Sequence, residues 1–324
     1  TRHLLIVGAS AAGRATLDLI RQRGVRVSVV GFLDGDRTLW GTALDGVQVI
    51  GGVDQLTRAV DRCHVSEIVV TLGDGAERAW LAQLALCLER GIAIRRGSDV
   101  YEELLHRVPV VHADSSHLLL SVSTAARQRA VSRVGARALD LVGAIVGLLA
   151  LAALTPLVAV AIWLDSGRPV FFRQRRVGCG GATFELIKFR TMTQEAEADG
   201  VPRWAGRRDP RVTAVGRVLR KARLDELPNI LNVIRGEMAL VGPRPERPAF
   251  VDRLERDVPL YHARHVVPPG LTGWAQVNCP YGDSVEGALT KLEYDLYYVT
   301  HRSVYFDLWI LIRTIETVLA LRGR

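Results

Sequence analysis

Cysteine is scarce in this chain of 324 residues, which contains only four. No two cysteines form a Cys-x-x-Cys pair, and none has histidine partners at the spacing of a zinc site. We therefore expect neither a metal cluster nor a disulfide framework. This usage is typical of a reducing, cytoplasmic environment. The four are Cys63, Cys87, Cys179 and Cys279.

Acidic residues are also in deficit, with 34 Asp and Glu against 42 Lys and Arg, which leaves a net charge of +8 and a pI near 9.7. A basic balance favours nucleic acid, an anionic lipid surface or phosphorylated substrates as partners. The length predicts two domains. A mean hydropathy of +0.15 indicates a chain that is mostly soluble but associated with a membrane.

Long hydrophobic runs are rare as well, since the chain has one, from Leu141 to Leu164. Roughly 20 apolar residues suffice to span a bilayer, so the run is long enough. Pro156 lies inside it, however, and removes a backbone donor, which predicts a kink or break. The arm before Pro156 would be about 22 Å long, shorter than a hydrocarbon core of about 30 Å.

Arginines flank the run on both sides, and positive charge favours the cytoplasmic side of a membrane. A re-entrant helix over residues 139–166, turning at Thr155 and Pro156, satisfies both observations, with the Thr155 hydroxyl available to a freed carbonyl. A kinked spanning helix and a buried core helix are the alternatives. The flanking residues are Arg127, Arg129, Arg133 and Arg137 before the run and Arg168, Arg173, Arg175 and Arg176 after it.

Residues 1–124 are predicted to form a Rossmann-like domain of the α/β class, with a parallel sheet covered by helices. The loop Gly8–Gly13 follows the first strand, but Ser10 occupies its middle glycine position, and Asp34 ends the second strand where a ribose contact is expected. No Tyr-x-x-x-Lys pair is present. Ligand sensing or a structural, dimerising role fits better than nucleotide chemistry, so a homodimer is expected. The predicted strands are His3–Val7, Val25–Leu33, Glu67–Leu72 and Ile92–Arg95.

The second half of the chain carries the residues suited to chemistry. Asp225 and Glu226 stand side by side just before Pro228, which starts a predicted helix closed by Gly236. The helix dipole and nearby arginines are expected to keep both carboxylates ionised. An ionised Asp can act as a nucleophile, and an adjacent carboxylate can hold Mg²⁺. If the surrounding arginines and the apolar run are disregarded, an acidic pair at a helix start is interpreted as helix capping. The preceding cations include Arg203, Arg207, Arg208, Arg211, Arg217, Arg220, Lys221 and Arg223.

Two further segments bear on ligand binding. Arg244 lies between two prolines, which fix the backbone and present its guanidinium for bidentate phosphate binding. The segment from Pro268 to Asn278 is rich in turn residues and is predicted to enter a strand. Trp274 and Gln276 in it could stack on or hydrogen-bond a base.

The region from about Arg133 to Leu321 contains six motifs whose sequence and order resemble those of the monotopic bacterial sugar transferases. These are also called polyprenyl-phosphate phosphoglycosyl transferases. The domain before the motifs is similar to one found in large exopolysaccharide-type members, where transmembrane helices precede it. The start at Thr1 rather than Met leaves room for such helices upstream. The motifs are Lys188-Phe-Arg-Thr-Met, Asp209-Pro-Arg-Val-Thr, Leu224-Asp-Glu-Leu-Pro, Met238-Ala-Leu-Val-Gly-Pro-Arg-Pro, Pro269-Gly-Leu-Thr-Gly-Trp-Ala-Gln-Val-Asn and Glu293-Tyr-Asp-Leu-Tyr-Tyr.

The resemblance implies a re-entrant helix broken at Thr155 and Pro156. We predict a linker over residues 125–138 and a mainly α-helical (α+β) catalytic domain over residues 167–324. The resemblance also implies that Asp225 attacks the sugar-linked phosphate of a UDP-sugar, expels UMP and passes the phosphosugar to polyprenol phosphate at the cytoplasmic face of the bacterial inner membrane. Glu226 is implied as the Mg²⁺ partner. The implied phosphate and nucleotide contacts are Lys188, Arg190, Arg220 and Arg244.

The sequence departs from the family at three positions, Arg223, Ala239 and Cys279, and Arg223 is expected to influence the pKa of the dyad or the choice of donor. The transferred sugar is not specified by the motifs; glucose or galactose is our expectation, with amino sugars as alternatives. A membrane-tethered, nucleotide-sensing regulator without catalysis is the rival hypothesis. We do not expect a nucleic-acid partner, because no recognition helix or aromatic-basic sheet is evident.

Overall fold

The computed structural model describes residues 2–72, 78–110, 115–127, 130–196, 209–279 and 285–319. The chain divides into two compact units, Thr1–Leu118 and Leu119–Arg324. Three of the cations counted before the carboxylate pair, Arg203, Arg207 and Arg208, lie outside the described residues.

The first unit contains a six-stranded sheet with strand order β3-β4-β2-β1-β5-β6, parallel except for β3. The central strands are continuous apolar runs because helices cover both faces of the sheet. Helices α1 and α4 contact each other, as do α2 and α3. The predicted Rossmann-like topology is thus confirmed for this unit. Its elements are β1 Arg2–Val7, α1 Ala11–Gln22, β2 Val27–Leu33, β3 Ala43–Leu44, β4 Val47–Gly51, α2 Leu56–Cys63, β5 Glu67–Val70, α3 Arg78–Glu89, β6 Ala93–Arg96 and α4 Gly97–Leu105.

Asp34 at the end of β2 is hydrogen-bonded to the glycine loop that follows β1. The Asp34 carboxylate accepts a hydrogen bond from the Ala9 backbone N–H at 2.6 Å and another from that of Asp36 at 2.8 Å. Gly13 is required by close packing, since a Cβ there would lie 2.1 Å from the Gly8 carbonyl oxygen. The carboxylate thereby ties the loop to the end of β2.

The segment predicted as a linker, residues 125–138, is largely helical. Helix α5 spans Ser115–Arg127 and helix α6 spans Ala130–Ser166. Helix α6 runs through Thr155 and Pro156 without interruption. The Thr155 hydroxyl donates to the carbonyl of Leu151 at 2.6 Å rather than to that of Ala152, whose bonding partner Pro156 removes. Helix α6 is thus not broken at Thr155 and Pro156 as predicted; Pro156 removes one backbone hydrogen bond and the helix continues past it.

The remainder of the second unit is mostly helical, as predicted, with two small two-stranded sheets. Strands β7 and β8 form an antiparallel hairpin, and β9 pairs in parallel with β10. One face of α6 packs on this unit through Ala144, Leu151, Val158 and Ile162, while the opposite face is exposed. The elements are β7 Phe171–Val177, β8 Thr183–Phe189, α7 Ala214–Lys221, α8 Ile230–Arg235, β9 Ala239–Val241, α9 Pro248–Asp257, β10 Gly270–Thr272, α10 Trp274–Asn278, α11 Val285–His301 and α12 Val304–Leu319.

Candidate active site

A cavity of about 730 Å³ lies in the second unit. Its lining comes from β7, β8, the turn before α8, the loop after β9, and helices α9 to α11. The cavity brings together Lys188, Arg190, Arg220, Asp225, Glu226 and Arg244, all of the predicted catalytic and substrate-binding residues. Residues that are far apart in the sequence therefore share one volume large enough for a small-molecule substrate.

Asp225 and Glu226 lie in a 3-10 turn, Leu224–Asn229, that leads directly into α8. The turn starts after Arg223, whose φ of 57° reverses the chain direction at the end of α7. Pro228 sits inside the turn, where its lack of an N–H is tolerated. Both carboxylates are buried, with 9% and 7% of their surface exposed. Asp225 and Glu226 thus lie near the start of a helix, as expected, but one 3-10 turn before α8 begins.

Glu226 is held by cations. Its Oε1 accepts hydrogen bonds from Lys188 Nζ at 2.9 Å and from Arg244 Nη2 at 2.6 Å, and Arg223 Nη1 lies 3.9 Å from its Oε2. Burial alone would raise the pKa of Glu226, but the Arg244 and Lys188 charges outweigh it and hold the pKa well below its usual range. Glu226 therefore stays ionised at neutral pH. Arg223 contributes to this lowering of the pKa.

Asp225 behaves differently from its neighbour. Burial, followed by the negative charge of Glu226, raises the pKa of Asp225 to about 6. We expected both acids to be ionised at neutral pH, and a pKa of about 6 is compatible with that for Asp225, although desolvation and the adjacent carboxylate raise the pKa above its usual value. Within the described part of the chain, no residue donates a hydrogen bond to the Asp225 carboxylate. It is ionised for the most part at pH 7 and is available for reaction.

The loop that carries Arg244 is fixed by its main-chain carbonyls. Arg264 donates to the carbonyl of Arg244 at 2.9 Å, and Arg176 donates to that of Pro245 at 2.9 Å. Arg264 in turn pairs with Asp295 through bonds of 3.0 and 2.7 Å to one carboxylate oxygen. Both members of that pair are buried.

Sequence reasoning assigned no role to Arg264 or Asp295. A signal was available for Asp295, since it is a single charge on the face of α11 that otherwise carries the buried Leu292, Leu296 and Val299. A charge buried in such a stripe requires a partner of opposite sign.

Of the two residues expected to contact a base, Trp274 is buried and Gln276 lines the cavity. Trp274 is 3% exposed and packs against Tyr294, Tyr297, Phe306 and Trp309, so it belongs to an aromatic core and does not offer a face to a ligand. The segment predicted to enter a strand contains β10, Gly270–Thr272, but its second half forms α10. Gln276 does line the cavity.

Arg220 and Arg190 are placed by neighbouring elements. Arg220 Nε on α7 donates to the hydroxyl of Thr191 at 2.9 Å. Arg190 Nη2 donates to the carbonyl of Ser166 at 2.7 Å and to its hydroxyl at 3.0 Å, and also to the carbonyl of Gly167. Arg190 thus satisfies carbonyls at the C-terminal end of α6 while lining the cavity.

Among the described residues, a buried carboxylate pair surrounded by cations shares its unit with one helix that is long and apolar enough to cross a membrane. Comparison with known proteins identifies the family. Residues 131–321 match the bacterial sugar transferase family, and the chain belongs to it.

Several curated relatives are similar over longer stretches. The Xanthomonas campestris UDP-glucose:undecaprenyl-phosphate glucose-1-phosphate transferase is 34% identical over 93% of this chain and 63% of that protein. The Aeromonas hydrophila UDP-N-acetylgalactosamine-undecaprenyl-phosphate N-acetylgalactosaminephosphotransferase is 38% identical over 74% of this chain and 55% of that protein. The chain therefore spans little more than half the length of these relatives.

Proposed function

We propose that this protein transfers a phosphosugar from a UDP-sugar to polyprenol phosphate and releases UMP, with Asp225 as the covalent nucleophile. One observation carries the proposal: Asp225 is buried in a cation-lined cavity with its carboxylate unengaged by the described residues, whereas the adjacent Glu226 is fixed by Lys188 and Arg244. The names of the relatives agree with this reaction class.

The chemistry balances without a proton shuttle. The ionised Asp225 oxygen attacks the sugar-linked phosphorus, and the bond from that phosphorus to the bridging oxygen breaks, so UMP leaves with that oxygen. A phosphate oxygen of polyprenol phosphate then attacks the same phosphorus, the bond to Asp225 breaks, and the carboxylate is regenerated. Such transfers depend on positioning and charge neutralisation. Arg220, Arg244 and Lys188 surround the dyad and are suited to the diphosphate.

Mg²⁺ fits the donor set of the dyad in part. Mg²⁺ binds through one or two carboxylates together with waters and substrate phosphates, so Glu226 and Asp225 suffice as protein ligands. Oε1 of Glu226 already accepts two cationic donors, which leaves Oε2 as the oxygen suited to a metal. Bound there, Mg²⁺ would neutralise charge on the diphosphate.

Hydrogen bonds at both ends of α6 bear on how this helix lies in the membrane. Near its start, Arg137 Nη1 donates to the carbonyl of Val233 at 2.7 Å and the Asp140 carboxylate accepts from the Leu240 N–H at 2.7 Å. Near its end, the Asp165 carboxylate accepts from the Val215 N–H at 2.9 Å. Both ends are therefore bound to the same catalytic unit. This favours a monotopic arrangement at the cytoplasmic face of the inner membrane over a helix that crosses to the other side.

The test is UMP release from a panel of UDP-sugars by the whole chain in detergent, with Mg²⁺ and polyprenol phosphate. We expect release that requires the lipid phosphate, identifies the donor sugar, and is lost in Asp225→Asn. A phosphosugar bound to the protein should accumulate when the acceptor is omitted. Tight nucleotide binding without turnover, unchanged by Asp225→Asn, would favour the regulator instead.

A further inference from the structure

Helix α3 of the first unit carries apolar side chains on both its inner and its outer face. On the inner face, Trp80 and Leu84 belong to the core beneath the sheet. The outer face carries Leu81, Leu86 and Leu88, which are 61%, 43% and 59% exposed. Among the described residues of this unit, these three are all of the large hydrophobic side chains that are exposed. A helix that is apolar all round is normally covered, so the outer face of α3 indicates a partner.

The two ends of that outer face carry opposite charges. Residues three and four apart lie on the same face of a helix, so positions 78, 82, 85 and 89 form one line along α3. This line consists of Arg78, Ala82, Ala85 and Glu89, and all four residues are exposed. No charged residue lies between Arg78 and Glu89 in the sequence. The centre line of the face is therefore positive at its first residue, negative at its last and apolar between them.

This arrangement of charge favours a second copy of the chain over a lipid surface. Docking the face on lipid would desolvate Arg78 and Glu89 without giving either a partner, which is costly. In an antiparallel pair of helices related by a two-fold axis, Arg78 of each copy lies beside Glu89 of the other, and Ala82 of each faces Ala85 of the other. The face is thus complementary to itself in both charge and shape.

We propose that α3 packs in antiparallel orientation against α3 of a second copy, so that the first unit dimerises the protein. Leu81 of each copy then packs beside Leu88 of the other, and the small Ala82 and Ala85 on the centre line let the helices approach closely. One helix pair is smaller than a standard interface of about 1,600 Å², so the dimer is weak and depends on concentration. This contact involves no residue of the catalytic cavity and is independent of the proposed function.

Sedimentation of the whole chain in detergent over a series of concentrations tests the contact. We expect wild type to form a dimer, and Ala82→Glu to raise its dissociation constant on the order of tenfold or more, because it places a charge in an apolar contact. Ala11→Glu, at an exposed position of α1, is the matched control and should leave the dimer unchanged. A wild type that stays monomeric, or a dimer that Ala82→Glu does not weaken, would overturn the pairing.

Exchange of the end charges tests the antiparallel orientation. Arg78→Glu and Glu89→Arg alone should each weaken the dimer by about tenfold, because like charges then face each other across the contact. The double variant Arg78→Glu/Glu89→Arg restores opposite charges and should recover the affinity of wild type. If the double variant is as weak as the single variants, Arg78 and Glu89 do not meet. The same exchange would not restore a contact with lipid, and liposome binding lost in Ala82→Glu with an unchanged dimer would assign the face to lipid.

Disulfide formation between two single variants gives an independent measure of the geometry. In a background without native cysteines, a mixture of Arg78→Cys and Glu89→Cys proteins should form a crosslinked dimer on mild oxidation. Neither variant should crosslink alone, because the two copies of position 78 are about 16.5 Å apart along the antiparallel pair, whereas a disulfide needs Cα atoms within about 7 Å. Crosslinking by either variant alone, with none in the mixture beyond that, would indicate parallel helices and contradict the two-fold pairing.

Discussion

Arg264 Nη2 and the main-chain carbonyl oxygen of Arg244 are joined by a hydrogen bond of 2.9 Å. The Arg264 guanidinium is itself fixed by Asp295 and by the Tyr261 hydroxyl at 2.8 Å. Arg244 stands between two prolines, so its backbone has little freedom left. The consequence is that the guanidinium that holds Glu226 is positioned by a buried ion pair that does not itself touch the dyad.

We therefore expect Arg264→Lys to impair catalysis through Arg244. Loss of the planar fork should loosen the Arg244 loop and reduce kcat/KM on the order of tenfold to a hundredfold. A less firmly held Arg244 also stabilises ionised Asp225 less, so the acid limb of the pH profile should move to higher pH. Steady-state kinetics between pH 5 and 8, roughly, would show both effects.

Tyr261→Phe is the matched control for that substitution. It removes the hydroxyl that contacts Arg264 and leaves the bond to the Arg244 carbonyl. Its pH profile should coincide with that of wild type. If Arg264→Lys lowers thermal stability but leaves the acid limb where it was, the pair has only a structural role.

The pKa of Asp225 predicts a pH dependence for the first half-reaction. With that pKa raised to about 6, the ionised nucleophile is lost as the pH falls below this value. UMP release without lipid acceptor should decline about tenfold per pH unit below pH 6. Omitting the acceptor matters, because a phosphate monoester also titrates near this pH.

Glu226→Gln should shift the acid limb of the pH profile in the direction opposite to Arg264→Lys. Removing the Glu226 charge withdraws one cause of the raised pKa of Asp225, so the acid limb should move to lower pH even though turnover falls. An acid limb near pH 4 in wild type, unaffected by Glu226→Gln, would show that the two carboxylates do not interact.

Asp225→Asn should abolish turnover and stabilise the fold at pH 7. The native pKa of Asp225 lies above its unfolded value, so the native state binds more protons, and stability falls as pH rises from about 4 to about 6. At pH 7 the full penalty is present, and an uncharged amide avoids it. We expect a Tm about 2–4 °C higher for each 1 kcal/mol gained. The difference should vanish below about pH 4; a lower Tm at pH 7 would contradict the buried-charge penalty.

The sequence was sufficient for elements with a strong local signal. Strand β1 was predicted to within one residue, because the apolar run and the glycine loop mark its end. Strand β4 was missed although Asp45 and Gly46, with φ of 49° and 76°, form the two-residue turn that Asp-Gly favours in hairpins.

The residues that the motifs singled out do line one cavity, but the motifs did not indicate the pKa values or contacts of these residues. The raised pKa of Asp225 depends on burial, which no local pattern of residues reports. Trp274 looked like a ligand contact because its neighbours are turn residues, yet four aromatic side chains from α11 and α12 enclose it. Those contacts are set by tertiary packing.

Helix α6 allows a prediction about its packing on the catalytic unit. A Cβ on Gly147 would lie 2.8 Å from Ile230 Cγ1. Gly147→Leu should therefore force α6 away from α8, the helix that follows the dyad. Overpacking of this kind typically lowers the free energy of unfolding by about 1–3 kcal/mol, so we expect a lower Tm and reduced turnover. Ala153→Leu, at an exposed position of the same helix, is the control and should behave as wild type.

The path of α6 through the membrane predicts which side its two ends occupy. Val134 and Arg168 are exposed positions near the two ends of α6, and each can be replaced by cysteine in a background without native cysteines. Because both ends are hydrogen-bonded to one unit, both cysteines should react with an impermeant maleimide from the same side of the membrane. That side should match Asp252→Cys on the exposed face of α9. Labelling of Val134→Cys and Arg168→Cys from opposite faces of membrane vesicles would mean that α6 spans the bilayer. At least one of the bonds that Arg137 and Asp165 make to the catalytic unit would then be absent in the membrane, because that unit lies on one side.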